Sequence, residues 1–157
     1  MRIGQGIDVH RFSDDPAREM WLGLIHLPGE VGLAGHSDAD VVVHALIDSL
    51  MGAANLGDIG RLFPDDDENF SGIASRTMLL EVLRRLNDER WRPVSVDVTI
   101  VAERPRLAVY MPQMSQELSV VVGCVVSVKA TTAEGLGALG RAEGIAATAI
   151  ALLEELP

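Results

Sequence analysis

The sequence predicts a single α+β domain over residues 1–157, a mixed four-stranded sheet with helices packed on one face. Three observations lead there. Strand-like and helix-like segments follow one another in the order β-β-α-α-β-α-β-α, the pattern of helices laid against a sheet. Val94, Val96, Val98 and Ile100 alternate strictly with Ser95, Asp97 and Thr99, the two-residue period of a strand with one face buried. The chain has 157 residues, 48% hydrophobic and 23% charged, which are ordinary globular values. That length is about one domain on a prior of ~150 residues, and it shows no internal repeat or linker.

The elements follow in order. Residues 2–12, with Ile3, Ile7 and Val9, read as a first strand. Met20–Leu27 is a second β-capable run, closed by Pro28-Gly29. The two would pair as a hairpin across a long Asp14-Asp15-Pro16 loop. Residues 38–56 read as a helix with Ser37 as its N-cap, Asp38 and Asp40 favouring the positive end of the dipole. Apolar positions 42, 46, 50 and 53 supply the buried stripe. Gly57 to Asp67, rich in Gly, Pro and Asp, reads as a loop. A second helix covers 72–91, with Leu79, Val82, Leu83 and Leu86 on one face. Then come the alternating strand, a helix over 110–122, a strand over Val125–Thr131 and a turn at Gly135-Leu136-Gly137. The final segment, Ala142–Leu156, is rich in small residues and reads as a helix.

The formal net charge is −10, which disfavours non-specific binding to nucleic acid. The 13 basic residues are twelve Arg and Lys129, so an anionic substrate needs local help from metal ions, backbone amides or a few placed cations. A lone cysteine, Cys124, makes no intramolecular disulfide and fits a reducing compartment. It sits in the apolar run Val120–Val126 and reads as a packed small hydrophobe. The opening residues, with Arg2 and Asp8, do not read as a signal peptide. No apolar run approaches the ~18 residues of a membrane span. A cytoplasmic protein is expected.

Three places carry chemistry-bearing residues. Asp8 and His10 are two apart on a predicted strand and leave the same face. His44 lies mid-helix between Asp40 and Asp48, spaced by four on one helical face. Two imidazoles and a carboxylate are a common zinc set, and Asp40 and Asp48 are placed to orient the imidazole by hydrogen bonds. The same pattern also describes a strand histidine and a hydrogen-bonded core histidine, and spacing alone leaves both readings open. The acidic stretch from Gly57 to Asp67 suits either polyol hydroxyls and a hard cation or simple solvation. Lys129-Ala130-Thr131-Thr132-Ala133-Glu134-Gly135 ends a strand in a Gly-rich turn, a place where phosphates bind, or an ordinary hydroxyl-rich turn. Arg104-Pro105-Arg106 adds two cations that suit a phosphate, a pyrimidine ring or solvent.

Taken together, the chain resembles the 2-C-methyl-D-erythritol 2,4-cyclodiphosphate synthases of the non-mevalonate isoprenoid pathway. The matching pieces are Arg2-Ile3-Gly4 with Gly6-Ile7-Asp8-Val9-His10, Gly35-His36-Ser37-Asp38-Ala39-Asp40-Val41, His44-Ala45 with Asp48, and Gly57-Asp58-Ile59-Gly60 with Phe63-Pro64-Asp65. Asp97-Val98-Thr99 with Pro105, Lys129-Ala130-Thr131-Thr132 with Glu134, and Gly140-Arg141 with Glu143-Gly144-Ile145-Ala146 complete a co-linear series over nearly the whole chain.

The resemblance implies a phosphorus-oxygen lyase. Its substrate would be 4-diphosphocytidyl-2-C-methyl-D-erythritol 2-phosphate and its products the cyclic diphosphate and CMP. It implies zinc on Asp8, His10 and His44, a second divalent cation, Mg or Mn, on Glu134, and His36 and Thr132 as transition-state stabilisers. Ser37 would offer its backbone N–H to a phosphate at the helix N-terminus, and Arg141 would reach another. Asp58, Gly60, Phe63, Asp65 and Asp67 match methylerythritol contacts. Ala102, Pro105, Arg106, Leu107, Ala108 and Thr131 match the cytidine pocket. The family resemblance also implies a homotrimer with active sites between subunits. Departures are Arg106 where a lysine is common and Gly23-Leu24 where a Gly-Gly is common. Competing readings on the same scaffold are a metal-dependent nucleotide-diphosphate hydrolase and a non-catalytic trimer that binds isoprenoid diphosphates or nucleotides.

Overall fold

The computed structural model describes residues 1–64 and 72–157. Its elements are β1 (Arg2–Arg11), β2 (Met20–Leu22), β3 (Ile25–Leu27), α1 (Val41–Ala54), α2 (Ile59–Leu62), α3 (Ser75–Asp88), β4 (Trp91–Val101), α4 (Met111–Val122), β5 (Val125–Thr131), α5 (Gly137–Gly140) and β6 (Gly144–Glu155). A 3-10 turn over Leu107–Val109 precedes α4. The main sheet has the order β1-β6-β4-β5. β6 is antiparallel to both neighbours, and β4 runs parallel to β5. The sheet is therefore mixed and four-stranded, as expected.

Its membership differs from expectation in two ways. The terminal segment is a strand, not a helix. Its alanines favour a helix, yet it fills the gap between β1 and β4, where both backbone edges find partners. Ile145, Ala147, Ala149, Ala151 and Leu153 are all buried on one face, so the two-residue period decides over helix propensity. The expected pairing of residues 2–12 with Met20–Leu27 does not form, because β1 lies along β6 instead. Met20–Leu27 folds on itself as the separate β2–β3 hairpin, turning at Gly23 and Leu24 with φ of +59° and +67°. Leu24 thus holds a left-handed conformation that glycine adopts without strain.

The first long helix begins at Val41, and its N-cap is Asp40, not Ser37. One Asp40 oxygen accepts the Val42 and Val43 N–H groups and the Gly23 N–H, and the other accepts that of Leu24. One buried carboxylate therefore caps α1 and closes the hairpin turn. Within the expected loop after Gly57, a short helix, α2, is capped by Asp58. Helix α3 is shorter than its predicted span.

Helices α1, α3 and α4 cover the same side of the sheet, and their apolar residues form one core with its inner face. The opposite face carries Ile3 and Ile7, 73% and 63% exposed, with Val9 and Ile150 beside them. Among the described residues no helix is long and apolar enough to cross a membrane.

Candidate metal centre and flanking loops

Helix α1 lies directly on β1 because β1 offers glycine where they touch. A Cβ on Gly4 would sit 2.0 Å from the Ser49 carbonyl oxygen, and one on Gly6 2.0 Å from that of Ala45. The same β1 face continues, two residues at a time, to Asp8 and His10. There the strand passes the first turn of α1, where His44 is the fourth helical residue. Close packing at the glycines is what brings a helix histidine to a strand carboxylate.

Asp8 Oδ2 lies 2.9 Å from His10 Nε2 and 3.0 Å from His44 Nδ1. The two ring nitrogens are 3.3 Å apart. Burial alone would raise the Asp8 carboxyl pKa, but hydrogen bonds and charge from both histidines outweigh it and hold the group well below the usual range. Burial alone would lower His10. The Asp8 hydrogen bond and charge, helped by the Ala34 carbonyl, raise it instead.

Each imidazole is oriented from behind. The His10 Nδ1–H donates to the Ala34 carbonyl at 2.6 Å, which turns Nε2 toward Asp8 as the nitrogen that would give up its proton to take a metal. His44 Nε2 lies 3.1 Å from both Ser37 Oγ and Ser75 Oγ. The Ser75 hydroxyl donates to Asp38 Oδ1, and its backbone N–H donates to Asp38 Oδ2 at 2.9 Å. The Ser75 oxygen is thus free to accept the His44 Nε2–H, which turns Nδ1 toward Asp8 as the nitrogen available to a metal. Two neutral imidazoles and one carboxylate, with donor atoms within 4.8 Å of one another, fit zinc with an open fourth position.

The profile of the YgbB family matches residues 1–154. The chain belongs to the YgbB family. A YgbB-type relative from Symbiobacterium thermophilum, named 2-C-methyl-D-erythritol 2,4-cyclodiphosphate synthase, is 49% identical over 156 residues and is matched over 98% of both chains. The protein of that name from Escherichia coli is 50% identical over 156 residues, 98% of this chain and 97% of its own. Among solved structures, the bifunctional IspDF of Campylobacter jejuni superposes with a TM-score of 0.93 at 33% identity, over 99% of this chain and 42% of that one. A CDP-bound structure of 2C-methyl-D-erythritol-2,4-cyclodiphosphate synthase gives 0.87 at 32% identity, over 98% and 100%.

In this YgbB chain the expected residues fall into two groups. Asp8, His10 and His44 converge as described. His36 is exposed on the loop before α1, and its carbonyl accepts the Gly72 N–H. Asp58 caps α2 through the Arg61 N–H at 2.9 Å, Gly60 lies within that helix, and Phe63 is buried behind it. Asp65 and Asp67 lie outside the described residues.

The second group stands at the same end of the sheet, beyond β4 and β5, with Arg141 just ahead of β6. Ala102 is buried and donates its N–H to the Thr131 carbonyl. Pro105 and Leu107 are buried, whereas Arg106 and Ala108 are exposed. The Thr132 hydroxyl donates to Glu134 Oε1 at 2.7 Å. Arg141 pairs with Glu143 at 2.6 Å. Cys124 is half-buried against the core, and burial pushes its thiol pKa up, which suits packing rather than nucleophilic attack.

Three expectations change. Ser37 stands three residues before the helix cap, so its backbone N–H is not at the end of α1. Its hydroxyl instead accepts the Ala39 N–H and meets His44. Asp40 and Asp48 flank His44 in the sequence but are engaged elsewhere. Asp40 caps α1, and Asp48 accepts the Ile59 N–H at 2.8 Å, tethering α2 to α1. Burial raises both carboxyl pKa values, and backbone N–H groups partly counter the rise. Orientation of His44 falls to Ser37, Ser75 and Asp38. Asp38 belongs to the Gly35–Val41 motif, but Ser75 is 31 residues from His44 and no spacing rule links them.

Proposed function

We propose that the chain converts 4-diphosphocytidyl-2-C-methyl-D-erythritol 2-phosphate to 2-C-methyl-D-erythritol 2,4-cyclodiphosphate and CMP, as a phosphorus-oxygen lyase of isoprenoid precursor synthesis. The observation that carries this is the convergence of Asp8, His10 and His44 in a YgbB chain half identical to named synthases. An oxygen of the 2-phosphate attacks the β-phosphorus. The bond from that phosphorus to the bridging oxygen breaks, and the electron pair leaves with CMP. The nucleophile is already an anion, so no strong base is required, and the work is positioning and charge stabilisation.

Asp8, His10 and His44 would hold Zn2+, and Glu134 a second divalent cation, Mg2+ or Mn2+. When bound, these supply Lewis-acid polarisation of the phosphate oxygens. Around them, His36 and Thr132 stabilise charge on the transferring phosphoryl group, with Arg141 as a further phosphate contact and Ser37 behind His44. Asp58, Gly60 and Phe63, with Asp65 and Asp67, receive the methylerythritol. Ala102, Pro105, Arg106, Leu107, Ala108 and Thr131 receive the cytidine. A cytoplasmic setting fits the free Cys124 thiol.

We propose a homotrimer, as the family resemblance implies, and two features of the sheet support assembly with further copies of the chain. β1 and β5 are its opposite edges, three strand spacings or about 14 Å apart. The Asp8 cluster and the Thr132–Glu134 turn of one chain therefore flank different edges, and a second copy brings the two kinds of edge together. The exposed Ile3, Ile7, Val9 and Ile150 face gives that copy an apolar surface to bury.

The test is phosphorus NMR of purified protein with the cytidylyl substrate, zinc and magnesium. Two coupled resonances of a cyclic diphosphate, with released CMP, are expected. CMP with an acyclic phosphate would overturn the cyclase in favour of hydrolysis, and an unchanged spectrum in favour of a binding role. Light scattering should give three chains per particle.

A further inference from the structure

Glu103 is the second residue after β4 and is half-buried. Its Oε1 accepts the Ala133 N–H at 2.9 Å and, more weakly, the Gly135 N–H at 3.4 Å. These two donors flank Glu134. Glu134 has a φ of +51° and Gly135 one of +75°, a turn that brings the Ala133 and Gly135 N–H groups to one side while the Glu134 N–H faces Thr132 Oγ1 at 3.4 Å. Such a concavity takes an anion, and here the anion is a carboxylate of the chain's own neighbouring loop. The far side of the turn is closed by Gly140, where a Cβ would come within 2.1 Å of the Gly135 carbonyl carbon. A non-glycine residue persists in the left-handed region only when its surroundings over-determine it, and Glu103 is a large part of those surroundings. Immediately beside it, the Ala102 N–H donates to the Thr131 carbonyl, so the two loops are joined at two successive residues.

We propose that Glu103 is a positioning residue. By holding the Ala133 and Gly135 N–H groups, it sets the turn that bears Thr132 and Glu134 against the loop over 102–108, so that the cation-binding and nucleotide-binding loops keep one geometry. The proposal deepens the function proposed above and rests on it for the roles of Thr132 and Glu134. Both hydrogen bonds use the same oxygen. A glutamine can therefore make both with its carbonyl, and an alanine can make neither.

The test compares Glu103→Ala and Glu103→Gln in the full-length, zinc-loaded protein. Three readouts are hydrogen exchange of peptides covering 132–136, Mn2+ titration by electron paramagnetic resonance, and steady-state kinetics. Glu103→Ala should speed exchange about tenfold, weaken Mn2+ about tenfold and lower kcat about tenfold, with KM nearly unchanged and zinc content intact. Glu103→Gln should stay within about threefold of the parent in all three. Parent-like exchange and Mn2+ affinity in the alanine variant would overturn the proposal. So would a glutamine variant as impaired as the alanine one, since charge would then matter rather than the hydrogen bonds. A loss confined to KM, with parent-like exchange and Mn2+ affinity, would overturn it too, because Glu103 would then act on the nucleotide without holding the turn. If the parent protein itself turned over no substrate, the proposed function would fail, while exchange and glutamine rescue would still decide whether Glu103 holds the turn.

Discussion

Ser75→Ala isolates the contribution of the hydrogen bonds behind the metal centre. Ser75 is fully buried, and its hydroxyl joins His44 Nε2 to Asp38. Removing the hydroxyl leaves Ser37 as the other partner within 3.1 Å of that nitrogen, and the Asp38 carboxylate keeps only the Ser75 backbone N–H of the pair. Loss of a partner that orients a ligating histidine weakens metal binding about 10- to 100-fold. With Ser37 retained, the lower end applies, about tenfold or ~1.4 kcal/mol, and Ser37→Ala/Ser75→Ala should reach about 100-fold. The assay is zinc competition against a chromophoric chelator near pH 7.5, with circular dichroism to verify the fold. Parent-like zinc affinity in the double variant would refute the reasoning, because His44 would then be oriented without these hydroxyls.

Three further outcomes follow from the same geometry. Gly6→Ala puts a Cβ 2.0 Å from the Ala45 carbonyl where ordinary contact begins near 3.4 Å, so α1 must shift by about 1.4 Å or strain. Thermal unfolding should show a cost of about 3 kcal/mol or more, and zinc affinity should fall with it, because His44 moves with the helix. Asp40→Ala strips the acceptor from four backbone N–H groups and should cost about 3 kcal/mol or more in urea unfolding. A change below about 1 kcal/mol would mean that water replaces the carboxylate. For pH, the folded-state pKa of metal-free His10 is raised, so its stabilising contribution is complete below the unfolded value of about 6.5 and is lost as pH rises through the folded one. Zinc requires the neutral ring, so its affinity climbs over the same window. Melting temperatures with chelator and with zinc should diverge as pH rises, and a His10→Gln variant should lose the divergence.

Much of the candidate site was legible because its logic is local. A strand period of two places Asp8 and His10 on one face whatever the strand pairs with, and the alternation of Val94–Val101 marks β4 without reference to neighbours. The co-linear motifs identify the family for the same reason, since they are short strings that need no contact map. The terminal segment was not legible in this way. Its alanines favour a helix in isolation, and only the slot between β1 and β4 makes it a strand. The roles of Asp40 and Asp48 were misread because helical spacing says which face a carboxylate occupies, not which backbone N–H groups reach it first.

By itself, then, the sequence determined the residues of the candidate metal centre, the family and most element types, since these follow from periodicity and from short co-linear motifs. Tertiary structure alone decided that β1 joins β6, that Ser75 and Asp38 stand behind His44, and that Glu103 closes on the turn at Glu134. Each of these is a contact between residues at least 30 positions apart, made by packing and hydrogen-bond satisfaction that no local rule in the sequence records.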